Sequence, residues 1–156
     1  MNAILLHRSW PESYAYLPIA FDRITKFCTK YNDDSPPEVL CETLLTEFAK
    51  NAPGTIVVLG LRPDGSVCGH ALVALEMWLA GKMATVLQME SDEPLKRTEM
   101  ETAFSVICKW AEDNGAKELQ IFARDRRLER VFRRFYGFET KRIFMKRPFG
   151  PIAGSN

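Results

Sequence analysis

Five arginines fall within nine residues near the C-terminal end: Arg126, Arg127, Arg130, Arg133 and Arg134. Arg127, Arg130 and Arg134 are spaced i, i+3, i+7, which on a helix makes one stripe, with Arg126 and Arg133 beside it. Guanidinium groups so arranged bind phosphate or carboxylate through paired N–H donors. The surrounding segment 124–147 holds ten Arg/Lys and three Asp/Glu, against eleven and seventeen in the rest of the chain. A basic pole on an acidic body fits an anionic ligand, a nucleic acid or an acidic protein partner. No aromatic residue is expected to interleave with the stripe, which argues against single-strand binding. A solvated helix face is the plain alternative.

Metal and thiol chemistry have little to work with. Cys28, Cys41, Cys68 and Cys108 are widely spaced, form no C-x-x-C pair, and lie far in sequence from His7 and His70. That pattern predicts four buried thiols in a reducing, cytoplasmic setting and no zinc site.

The 156 residues are 46% hydrophobic and 26% charged, with a net charge of +1, as expected of one globular domain. The expected division is a single domain over 1–147 and a tail over 148–156. No apolar run reaches the ~20 residues of a membrane span, and the N-terminus has no secretory pattern, so no membrane contact is expected.

Residues 4–7 read as a short strand. Pro18 marks the first turn of a helix carrying Ala20, Ile24, Phe27, Cys28 and Tyr31 on one face. Ser35-Pro36 starts a second helix with Cys41, Leu44, Leu45 and Phe48 buried. The period then changes. Strands over 55–61, 67–78 and 83–90, joined by turns at Pro63-Asp64-Gly65 and Ala80-Gly81-Lys82, make an antiparallel meander. The clearest helix covers 95–114, with Met100, Ala103, Phe104, Ile107 and Ala111 inward. A strand over 117–123 follows. The last helix, 126–136, turns Leu128, Val131, Phe132, Phe135 and Tyr136 to the core, and a last strand covers 138–146. The order β-α-α-β-β-β-α-β-α-β predicts an α/β fold, with a mixed, mostly antiparallel sheet and helices on both faces.

That order resembles the GNAT superfamily of N-acetyltransferases. Val67-Cys68-Gly69-His70-Ala71-Leu72-Val73 is similar to the family's Gly-containing central strand. Cys108 to Leu119 looks like its long helix entering the fifth strand, and Phe135-Tyr136-Gly137-Phe138-Glu139 like its last helix and corner. In size, and in having no glycine in the loop described next, the chain also resembles short GNAT-like proteins of phages.

The resemblance implies acetyl-CoA as acyl donor, bound where the long helix begins through a Q/R-x-x-G-x-G/A loop whose amides hold the diphosphate. Here that loop falls on Leu95-Lys96-Arg97-Thr98-Glu99-Met100, without glycine. A variant site would use Lys96, Arg97 and Thr98, with Arg126 from the last helix, while Gln88 and the backbone N–H near Met89 would hold the thioester. The same stretch also reads as an ordinary helix start, capped by Ser91 or Asp92 with Pro94 in the first turn. For the base, the resemblance points to Glu90 or Glu76, with His70 third. The family's leaving-group tyrosine position falls on Arg133 or Phe132, and Tyr136 shares the core face.

Two functions are therefore expected: an N-acyltransferase acting on an unknown amine, or a catalytically inactive GNAT-fold binding or structural protein, for example a virion component. Either could form a homo-oligomer or a larger assembly.

Overall fold

The run Thr55-Ile-Val-Val-Leu-Gly-Leu61 has almost no polar side chain, so as a strand it needs cover on both faces. It has it. In the computed structural model, which describes residues 1–31, 35–123 and 126–140, Val57 and Leu59 pack beneath two helices on one face. Ile56 and Val58 pack beneath a third helix on the other.

The elements are β1 (Asn2–Leu5), α1 (Ser13–Tyr31), α2 (Pro37–Phe48), β2 (Thr55–Leu61), β3 (Val67–Trp78), β4 (Gly81–Ser91), α3 (Arg97–Asp113), β5 (Leu119–Ile121) and α4 (Arg126–Tyr136). They fall into two compact units. Met1–Phe122 holds the sheet and α1 to α3. Ala123–Asn156 holds α4.

The sheet order is β1-β2-β3-β4-β5. The first four strands pair antiparallel, and β5 joins β4 in parallel after the α3 crossover. Leu17, Ala20, Ile24 and Cys28 of α1 and Leu44 and Phe48 of α2 cover one face, joined by Leu72. Ile107, Trp110 and Ala111 of α3 cover Val73, Ala84 and Val86 on the other.

One irregularity matters most. The β3–β4 register pairs Leu72 with Gln88 but Val73 with Val86, so Leu87 is an extra residue in β4. Such a bulge reverses the alternation of side chains beyond it. Ala84 and Val86 face α3, whereas Gln88 reaches Cys28 and Glu90 reaches Lys30, both on α1.

Several expectations shift. α1 begins at Ser13, with Pro18 inside the helix, because i→i−3 bonds at Ser13, Tyr14 and Ala15 build its entry earlier. β1 is Asn2–Leu5, paired to β2 from Leu61 back to Val58. Pro36, not Ser35, is the N-cap of α2, and Leu45 is exposed on it. Cys28 and Cys68 are buried, but Cys41 and Cys108 are only half-buried. The expected last strand lies mostly outside the described residues, and 138–140 are not in a strand.

Gly69 is the tightest backbone approach in the hairpin: a Cβ there would sit 2.9 Å from the Glu90 carbonyl oxygen and 3.4 Å from Ser91. Backbone cannot move aside cheaply, so Gly69→Ala is expected to cost roughly 1–3 kcal/mol in urea unfolding. A variant as stable as the parent would show that β3 and β4 are further apart here.

Candidate functional site

Beyond the bulge, β4 changes partners. Its parallel ladder with β5 covers Ala84–Leu119, Thr85–Gln120 and Val86–Ile121 and ends there. Among the described residues no strand lies against 87–91 on that side. The main chain turns as well. Ala84 N–H points to β5, bonding Glu118 C=O at 3.0 Å, whereas Asp92 N–H points to β3, bonding Cys68 C=O at 2.9 Å. Antiparallel pairs alternate, so Gln88 and Glu90 bond towards β3, and the amide and carbonyl of Met89 face the uncovered edge. This is an open strand edge beside a carboxylate.

Glu90 anchors a polar cluster on the α1 face. Lys30 Nζ lies 2.5 Å from its Oε1, and the Tyr31 hydroxyl donates to the same oxygen at 2.9 Å. Burial pushes the Glu90 carboxyl up, but the Lys30 and Tyr31 hydrogen bonds outweigh it and hold the group below its ordinary range. The Glu90 hydrogen bond in turn raises Lys30.

His70 pairs with Glu90 across the ladder and is only 4% exposed. Its Nε2 is 3.4 Å from Gln88 Oε1, and its ring meets Phe27 edge-on at 5.9 Å. Its buried Nδ1 has no hydrogen-bond partner among the described residues. Burial drives its pKa to about 4, so the ring is neutral near pH 7. Gln88 Nε2 donates to Cys28 Sγ at 3.3 Å, closing the string.

The expected site residues do not all converge. Glu90 and Met89 are neighbours at the open edge. The Gln88 side chain is committed to Cys28 and His70. Glu76 lies six residues from His70 along β3, roughly 20 Å away, and accepts from the Thr85 hydroxyl at 2.5 Å. Lys96, Arg97 and Thr98 are exposed at the start of α3, and Arg97 is paired with Glu101 at 2.7 Å. Arg126 and Tyr136 belong to the second unit.

The start of α3 answers the question of its cap. Lys96 is the N-cap, and Glu99 Oε2 accepts the Lys96 amide at 2.8 Å. The other Glu99 oxygen is 3.5 Å from the Met1 ammonium. Ser91 and Asp92 are not caps: Ser91 donates to Glu93 C=O and Asp92 pairs with Arg23 at 2.8 Å. Lys30, Tyr31 and the Leu87 bulge had no local signal in the sequence, because their contacts join residues some sixty positions apart or depend on ladder register.

On α4, Phe132 is buried and meets Phe138 at 5.5 Å between ring centres. Val131 and Phe135 are exposed, contrary to the expected core face, and the Arg134 guanidinium lies 5.3 Å from the Phe135 ring centre. An aromatic therefore does stand beside the arginine stripe.

No family model and no curated relative matches the sequence. Solved structures match its fold. A probable acetyltransferase aligns with TM-score 0.67 at 13% identity, over 98% of this chain and 99% of its own. AAC(6')-Iy, in complex with the bisubstrate analogue CoA-S-monomethyl-acetylneamine, aligns with TM-score 0.69 at 13% identity, over 94% and 97%. The ribosomal-protein-alanine N-acetyltransferase of Brucella melitensis biovar Abortus 2308 aligns with TM-score 0.55 at 14% identity, over 94% and 99%. The chain has the GNAT fold.

His70 makes the fold pH-sensitive. Its folded pKa, about 4, lies below the unfolded value of 6.5, so the stabilisation is complete above about pH 6.5 and is lost as pH falls towards 4. The loss should reach up to about 3 kcal/mol. His70→Gln, followed by urea unfolding from pH 7 to 4, should flatten this slope. An unchanged slope would assign it to another group.

Proposed function

We propose that the chain is an N-acyltransferase that takes its acyl group from a pantetheine thioester such as acetyl-CoA and passes it to a primary amine. One observation carries the reading: the Leu87 bulge turns the Met89 main chain to a strand edge that no strand covers among the described residues, and sets Glu90 beside it. An exposed edge supplies N–H and C=O groups to an extended amide-containing chain, as a pantetheine arm is. Glu90, ionised at neutral pH, takes the acceptor ammonium's proton through a water. The freed amine attacks the thioester's acyl carbon, the C–S bond breaks, and the thiolate leaves as the thiol with the proton that the nitrogen sheds. The Met89 N–H would bind the acyl oxygen as charge develops on it. Lys30 is largely exposed and leaves Glu90 when the acceptor arrives.

The two ends of acetyl-CoA fit unequally. The β4 edge suits the thioester arm. At α3, the Glu99 carboxylate holds the Lys96 N-cap amide and sets an anion beside the helix start where a diphosphate would lie, and no residue from 95 to 100 is glycine. Phosphates would rest on the exposed Lys96 and Arg97 side chains and the Thr98 hydroxyl, outside the helix axis. Glu76 is too far along β3 to share the base role.

The occupied α3 terminus favours a second reading, a GNAT-fold binding or structural protein without catalysis, a virion component being one form of it. Thiol release from acetyl-CoA across a panel of primary amines separates the two. The enzyme reading expects amine-dependent release that falls about 100-fold or more in Glu90→Gln. Lys30→Met should move the acid limb of kcat/KM to higher pH, because burial then raises Glu90 unopposed by Lys30. If no amine in the panel elicits thiol release, the binding protein is favoured.

A further inference from the structure

The two units treat their cations differently. In the first, Arg23 pairs with Asp92, Lys26 with Asp22, Lys30 with Glu90, Arg62 with Glu93, Arg97 with Glu101 and Lys109 with Asp113. In the second, none of the five α4 arginines takes part in an ion pair among the described residues, and all five are exposed. The one acid on α4, Glu129, accepts the Thr140 hydroxyl at 2.5 Å instead of an arginine.

This arrangement is costly for a helix standing alone. Arg126–Arg130 and Arg130–Arg134 are like charges at i, i+4, and Arg127–Arg130 and Arg130–Arg133 are like charges at i, i+3, each destabilising by a few tenths of a kcal/mol. Only Arg133 and Arg134 lie in the last turn, where the helix dipole compensates. A face meant for water alone would alternate charge, as α1 and α3 do through their i, i+4 pairs. An anion laid along α4 removes the repulsion.

We infer that the α4 arginine face is a binding site for the phosphodiester backbone of a nucleic acid. Arg127 to Arg134 spans about 10 Å of helix, enough to meet successive phosphates. All five cations are arginines, whose planar forks suit phosphate oxygens better than an ammonium does. Arg130, Arg133 and Arg134 line a groove of about 830 Å³ with Phe138, Glu139 and Thr140. The exposed Phe135 ring beside Arg134 offers a stacking face, which favours a nucleic acid over an acidic peptide. The charge balance agrees, because the acidic remainder of the chain repels such a ligand and leaves the C-terminal segment to hold it.

Fluorescence anisotropy with labelled single-stranded and duplex oligonucleotides over a salt series tests this. The wild-type chain should bind at low salt, the strand form bound more tightly naming the preferred ligand. Replacing Arg127, Arg130 and Arg134 by Ala should weaken binding at least about tenfold and lower the log K against log salt slope by about 2–3. Lys109→Ala, whose cation already rests on Asp113, should change neither. All three arginines are exposed, and circular dichroism checks that the variant folds. No binding by the wild-type chain, an unchanged slope in the triple variant, or tighter binding of polyglutamate than of either oligonucleotide would overturn the inference.

Discussion

The extra residue in β4 sets the chemistry of the molecule. Without Leu87, strict alternation would carry Glu90 to the face that Ala84 and Val86 share with α3, in an apolar layer with no cation to receive it. With it, Glu90 meets Lys30 and Tyr31, Gln88 meets His70 and Cys28, and the Met89 amide turns outward. The same residue coincides with the end of β5 pairing, so among the described residues the edge it presents is uncovered. A bulge costs a ladder hydrogen bond, and the apolar layers on both faces of the sheet hold the strand in place around it.

The polar cluster under α1 illustrates how burial divides labour. His70 has little solvent and one weak partner, so it stays neutral and acts as a structural wedge. Glu90 keeps enough hydrogen-bond donors to remain charged despite its desolvation. Two titratable groups on directly paired positions thus take opposite roles because α1 offers one of them an ammonium and a phenol, and the other a phenyl ring.

Much of the fold was legible because it rests on local signals. The apolar run at Thr55–Leu61, the turns around Gly65 and Gly81, and the helical period from Phe104 to Ala111 each appear where the residue pattern places them. Boundaries drifted where local bonds overrode propensity, as in the early entry of α1 ahead of Pro18. The candidate site was legible only in part. Glu90 and Met89 were reachable through a family resemblance, and the missing glycines before α3 were plain in the sequence. Lys30, Tyr31, the bulge and the Met1–Glu99 contact were not, since tertiary register creates them.

The most direct measurement is a backbone amide NMR titration with acetyl-CoA. The account predicts that Met89 and its neighbours from Leu87 to Ser91 shift first and furthest, with Arg97 and Thr98 following and the Lys96 amide, held by Glu99, moving little. Saturating donor that leaves 87–91 unmoved, or shifts centred elsewhere, would contradict the open β4 edge as the acyl-donor site.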